Sequence, residues 1–155
     1  VVTEADKKKW ADHKKVVVAF RFEIEINGLV EAGFNEVSGL QVETEFEEYN
    51  EGGLNEYTHR FPKRIKYPPL VFKRGIIQSN TLWDWYQGFT LGTIKRMGGA
   101  IILNNSYGVA IGRWEFVNAY PIKWMGPTLS ANKSEVAIET LEIVHNGLKA
   151  IILGK

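Results

Sequence analysis

The stretch Val16-Val17-Val18-Ala19-Phe20-Arg21-Phe22-Glu23-Ile24-Glu25-Ile26 alternates strictly. Val16, Val18, Phe20, Phe22, Ile24 and Ile26 share one parity, and Val17, Ala19, Arg21, Glu23 and Glu25 share the other. A two-residue period places one set on a buried face and the other on a more polar face, so the segment predicts a half-buried β-strand. Asn27-Gly28 follows as a tight hairpin turn, since both central positions of such a turn favour positive φ. Leu29–Val37 is then expected as the returning strand, with Gly33 as a bulge.

Working outward, Leu40–Tyr49 alternates again, with Leu40, Val42 and Phe46 on one side and Gln41, Glu43, Glu45 and Glu47 on the other. Asn50–Asn55 reads as a glycine loop, and Tyr57–Lys66 as basic and irregular. Tyr67-Pro68-Pro69 cannot lie inside a ladder, because two prolines remove two donors. Leu70–Ile77 predicts a further strand.

Ser79-Asn80-Thr81 offers N-cap groups, and Leu82, Trp85, Tyr86 and Phe89 follow at the spacing of one helical face. Beyond this helix come a short strand at Ala100–Leu103, a long one at Val109–Ala119 and a loop at Trp124–Lys133. A strand at Glu135–His145 has an apolar parity that shifts and predicts a bulge near Thr140. Asn146-Gly147 reads as a second hairpin turn before Leu148–Leu153. The expectation is a mainly β fold: one antiparallel β-barrel or sandwich with a single flanking helix. Residues 1–15 form an N-terminal arm in this reading, and residues 16–155 form the barrel domain.

The 155 residues suit one domain and carry a net charge of +1, which leaves no overall nucleic-acid footprint. With no cysteine there is neither a disulfide nor a thiolate site. Val1–Lys15 is polar and lysine-rich, unlike a signal peptide, and the longest apolar run, Val16–Phe20, is far short of a membrane helix. No phosphate loop, nucleophile elbow, dinucleotide fingerprint or zinc-protease motif occurs. His13, His59 and His145 lack ligand spacing, so no metal or cofactor is expected. The glutamates of the alternating strands could form carboxylate pairs, but their regular spacing is that of solvated faces, and no enzyme activity is expected.

Charge is unevenly spread. Glu43, Glu45, Glu47, Glu48 and Glu51 fall in a stretch free of Lys and Arg. From Tyr57 to Trp83 there is no acid, while Arg60, Lys63, Arg64, Lys66, Lys73 and Arg74 all occur. Two readings stay open: cross-strand pairing inside one sheet, or an acidic and a basic edge that meet between subunits and drive head-to-tail association. Trp83 lies off the helix's apolar stripe, either as a contact surface or under a loop.

Six spaced signatures run in one order along the chain: Gly33–Leu40, Glu48–Asn55, Lys73-Arg74-Gly75, Leu82–Tyr86, Trp114–Pro121 and Glu135–Ile143. Together they resemble the tail-tube proteins of contractile phage tails and of phage-tail-like injection particles, over about Val16 to Leu148. The resemblance implies a β-barrel subunit with an outer helix that forms hexameric rings. Rings stack into a hollow conduit inside a contractile sheath, with baseplate or spike and tube terminator as partners and protein or DNA as cargo in the lumen. It implies no cofactor and no membrane insertion by this chain. Assembly would take place in the bacterial cytoplasm, in a particle that can be released.

Carried over by position, Glu48, Tyr49, Glu51, Gly52, Gly53, Asn55, Arg60, Pro62, Lys63 and Arg64 belong to a long loop that reaches a neighbouring ring or subunit. Lys63 departs from the pattern, since members often place Gly there. The arm would also pack on a neighbour. Lys73 and Arg74 form a candidate basic patch, Trp83 a helix contact, and Glu23, Glu25, Glu43, Glu45 and Glu47 a candidate lumen wall. The competing class is a barrel that binds a small ligand or single-stranded nucleic acid; strand interiors already filled by Val, Phe, Ile and Trp argue against the first, and the lack of interleaved exposed aromatics against the second.

Overall fold

The computed structural model describes residues 21–26, 29–31, 33–50, 52–53, 58–75, 80–93 and 96–152. The arm at Val1–Lys15, the first part of the leading strand, Asn27-Gly28, Glu51 and Asn55 lie outside the described residues. In chain order the elements are β1 (Arg21–Ile26), β2 (Leu29–Glu31), β3 (Phe34–Ser38), β4 (Glu43–Tyr49), β5 (His59–Lys66), β6 (Leu70–Gly75), α1 (Thr81–Thr90), β7 (Met97–Asn104), β8 (Ala110–Met125), β9 (Ile138–Val144) and β10 (Gly147–Ile152).

Every ladder is antiparallel. The main sheet runs β2-β1-β7-β8-β9-β6-β3, β10 also pairs with β8, and β4-β5 stand apart as a two-stranded ribbon. The alternation of the leading strand emerges as expected: Ile24 and Ile26 are buried, and Phe22 packs on the same core. The returning strand does not continue, however. Its start, β2, pairs with β1, whereas β3 pairs with β6 on the far side of the order. Gly33, at φ 87°, therefore lies where the chain leaves one end of the strand order for the other and is not a bulge within a strand.

One corner organises the rest. The long β8 pairs with β10 through Gly112–Val117 and with β9 through Tyr120–Met125. Between them Asn118 adopts φ 51°, a left-handed conformation that Asn tolerates better than most residues. Opposite it, Asn146 donates its backbone N–H to the Val117 carbonyl at 3.0 Å. The Asn146-Gly147 pair is thus a step, not a hairpin: β9 and β10 run one after the other along the same edge of β8. The bulge expected near Thr140 is also misplaced. β9 keeps an unbroken register with β6, and the irregularity lies in β8, between Pro121 and Lys123. β8 itself runs through Tyr120–Trp124, so Trp124 is a strand residue and not the start of a loop.

Folding at this corner brings two strand layers face to face. Ile24, Ile101 and Phe116 from one layer meet Phe34, Leu70, Phe72, Leu141 and Ile143 from the other. The Phe72 and Phe116 rings lie 6.4 Å apart, across the interface between layers. Leu82 and Trp85 of α1 close this core from one side, as the helical spacing predicts. Asn80 occupies the N-cap position but makes no side-chain cap hydrogen bond.

Packing inside the core is tight at Gly99, the third residue of β7. A Cβ there would overlap the Glu25 carbonyl oxygen and the Phe116 ring. Gly99→Ala is expected to lower stability by about 1–3 kcal/mol, the usual cost of overpacking a filled core. Urea unfolding checks this; an unchanged midpoint would show that the β1–β7–β8 layer yields easily.

Candidate functional site

The β4–β5 ribbon is the part of the subunit that the core does not explain. The segment expected to be irregular, Tyr57–Lys66, contains a strand, His59–Lys66, that pairs with β4 through one register shift. Arg60 pairs with Glu48 at 3.4 Å and Lys63 with Glu47 at 3.5 Å. Pro62 is accommodated beside a register shift, where β5 carries one residue more than β4. The turn at Gly52-Gly53 has Gly53 at φ 99°, which a side-chain-bearing residue adopts only with strain. Two ion pairs between the charge-biased stretches thus form within one subunit, while Lys73 and Arg74 of the basic stretch pair elsewhere, with Glu36 and Glu139.

Register sets the two faces of the ribbon. Thr44, Phe46 and Glu48 lie opposite Ile65, Pro62 and Arg60 on one face; Glu43, Glu47 and Tyr49 lie opposite Lys66, Phe61 and His59 on the other. Neither face is covered by the described residues. All residues of β4, and all but His59 of β5, are exposed. The strand expected over Leu40–Tyr49 forms from Glu43, and Leu40 packs on the core, but the apolar parity of β4 stays open: Phe46 and Ile65 leave 54% and 57% of their surface exposed. The Arg60 guanidinium sits 5.2 Å from the Phe46 ring centre, and Tyr49 and Phe61 lie 6.5 Å apart on the other face. Sequence reasoning missed that Phe46 and Ile65 share one ribbon face and Tyr49 and Phe61 the other, because Pro62 hides the strand that sets this register.

The other predicted site residues separate. Lys73 faces outward and pairs with Glu36 at 3.5 Å. Arg74 points the opposite way, is 0% exposed, and donates from Nε to Glu139 Oε1. The basic patch of Lys73 and Arg74 is accordingly corrected: strand alternation sends the two cations to opposite sides of β6. Trp124 Nε1 donates to the second Glu139 oxygen at 3.2 Å, and the Phe34 ring lies 5.5 Å from the Arg74 guanidinium. Arg64 is exposed on β5.

The five lumen candidates do not form one row. Glu43, Glu45 and Glu47 lie on the ribbon, whereas Glu23 and Glu25 lie on β1 in the main sheet. Glu25 takes a 3.0 Å hydrogen bond from Arg113, which also bonds Glu115 at 3.0 Å. The bond to Glu25, then that to Glu115, raises the Arg113 pKa, so this cation stays charged at any working pH. Trp83 is 39% exposed and stands edge-on to Trp124, at 4.8 Å between ring centres, with Tyr86 stacked at 6.2 Å. Among the described residues no group of three or more His, Cys, Asp or Glu converges as a metal site would require.

Comparison with known proteins agrees with this architecture. Among curated proteins none matches the sequence. A chain from the cryo-EM structure of an extracellular contractile injection system, the PVC sheath-tube complex in the extended state, has a TM-score of 0.81 at 20% identity. The match covers 94% of this chain and 97% of that one. A chain from the anti-feeding prophage baseplate scores 0.77 at 20% identity, over 90% and 98%. Hcp1 from Flavobacterium johnsoniae scores 0.56 at 14% identity, over 84% and 94%. These likenesses carry the fold. The model of the family described as T4-like virus tail tube protein gp19 matches residues 18–149. The chain belongs to that tail tube family and is a structural subunit of a tube.

Proposed function

We propose that this subunit closes into hexameric rings that stack into a hollow conduit, and that the β4–β5 ribbon makes the contact between one ring and the next. The observation that carries the reading is the ribbon's exposure on both faces. An isolated two-stranded ribbon is marginal in water, and here it displays Phe46, Phe61 and Ile65 unburied. In a protein whose role is to assemble with itself, another copy is the natural cover. Arg60 and Lys63 are already paired with Glu48 and Glu47 within the ribbon, so stacking rests on apolar burial more than on charge, and salt weakens it little.

The same reading assigns a sheath, a baseplate and a tube terminator as partners, since chains of this fold come from structures described by those words. A particle assembled in the bacterial cytoplasm and then released fits it as well. Protein or DNA would pass through the lumen. The outward face of β1, with Glu23 and Glu25, is the candidate wall. The clamp of Arg113 between Glu25 and Glu115, with Lys149 opposite Glu115 in the ladder and Arg21 on the parity of Glu23 and Glu25, makes that surface a mosaic of both signs and not an acidic one. A wall of mixed charge holds neither a polyanion nor a basic protein strongly.

Negative-stain electron microscopy of the full chain over a range of concentrations tests the assembly. Rings, or straight hollow tubes of uniform diameter that persist in 0.5 M salt, are expected. Amorphous aggregates in place of rings would overturn the reading.

A further inference from the structure

Among the described residues, the two legs that join the ribbon to the body meet at a narrow crossing. β3 and β6 pair up to Ser38 and Val71, and the ribbon begins its own pairing at Glu43 and Lys66. Between them the ladder stops. On one leg Gly39 adopts φ 89°, and a Cβ at that position would overlap the carbonyl oxygen of Pro69 on the other leg. Backbone therefore meets backbone there, with no room for a side chain. Gln41 donates its N–H back to the Gly39 carbonyl at 2.7 Å, closing a tight turn. On the opposite leg Pro68 and Pro69 hold φ near its ring-locked value and supply no ladder donors. Tyr67 packs against His145 at 5.3 Å between ring centres. His145 is buried at the corner of the two layers, and its Nδ1 lies 3.0 Å from the Gly147 carbonyl oxygen.

We infer that the Gly39–Pro69 crossing, with Pro68 and the Tyr67–His145 contact, is a rigid elbow that fixes the angle of the ribbon, and that Gly39, Tyr67, Pro68 and Pro69 are positioning residues for stacking. The inference rests on the ribbon contact proposed above. Each feature removes freedom from the joint. The prolines narrow the backbone choices of one leg, the crossing excludes a side chain on the other, and the ring contact ties the joint to the core corner. A ribbon held at one angle in the free subunit loses less freedom on docking, and a preorganised contact binds more tightly for the same area. A swinging ribbon would have to be ordered at each addition.

The chain contains no cysteine, so spin labels can be placed through Glu45→Cys on the ribbon and Lys149→Cys on β10. Both sites are exposed. Electron–electron double resonance on the full chain, diluted with unlabelled chain, then reads the ribbon angle directly. A narrow distance distribution is expected in the parent. In Pro68→Ala/Pro69→Ala the width should at least double while thermal unfolding stays cooperative, and that variant should form rings but not tubes. Gly39→Ala should shift the mean distance, and the proline variant serves where the alanine variant does not fold. Equal widths in parent and proline variant would overturn the elbow, and so would a broadened variant that stacks as well as the parent. A separate variant, Phe46→Asp/Ile65→Asp, tests the contact itself. If it stacks normally, the ribbon reading fails, while the width comparison still judges the elbow.

Discussion

Arg74→Met lowers the stability of the subunit by about 3–5 kcal/mol in this account, the loss typical when one partner of a buried ion pair is removed. Arg74 and Glu139 sit directly opposite each other in the β6–β9 ladder, and both face the core. Without the guanidinium, the Glu139 carboxylate keeps only the Trp124 indole among its hydrogen bonds described above, in a setting that disfavours charge. Since a domain holds only about 5–15 kcal/mol in total, the single variant should be close to unfolding at physiological temperature. The double variant Arg74→Met/Glu139→Leu removes both charges, fills similar volume and should recover most of the loss. Urea unfolding of the three chains completes the cycle. A single variant that costs less than about 1 kcal/mol, or a double variant no better than the single, would show that the pair is not the inner joint of this layer. Reversing the charge of Arg74 would accordingly test folding and say nothing about a surface patch.

The second large effect is on assembly. Phe46→Asp/Ile65→Asp places two carboxylates on the ribbon face that Pro62 shares. Both side chains are more than half exposed in the subunit, so folding should change little. Covering the open half of each in a neighbour is worth about 1 kcal/mol apiece, and burying a carboxylate instead adds a further cost. Even the first term alone, about 2 kcal/mol per ribbon, raises the concentration needed for stacking by more than about tenfold. Because every subunit of a ring carries a ribbon, the loss repeats around the ring and should abolish tubes. Sedimentation of assembled material, alongside circular dichroism to confirm the fold, measures it. Tube formation at the parent concentration would remove this face from the contact.

The two effects also mark where the sequence was readable. The β1 alternation placed Ile24 and Ile26 correctly, because one buried and one wetter face leave a two-residue period behind. The helix was readable too, since Leu82 and Trp85 sit on one stripe and both reach the core. The buried pair was not. A charged residue on a strand reads as outward, and only the register that sets Arg74 against Glu139 reveals two opposite charges satisfying each other inside.

β5 was hidden by Pro62, which speaks against a strand unless a register shift accommodates it. The Asn146-Gly147 dipeptide misled because its local preference is a hairpin, while two ladders on one edge of β8 make it a step. In each case a tertiary pairing outweighed a local signal. The split of the lumen candidates has the same origin. Glu25 and Glu47 look alike in sequence, yet one is clamped by Arg113 on the main sheet and the other is paired with Lys63 on the ribbon.

A cryo-EM reconstruction of the assembled tube shows whether the ribbon is the joint between rings. Phe46 and Ile65, exposed in the subunit, are expected to be buried there against a copy in the adjacent ring, with the ribbon at the angle set by Gly39 and Pro69. A tube in which the ribbon faces solvent on both sides, with rings held together elsewhere, would contradict it.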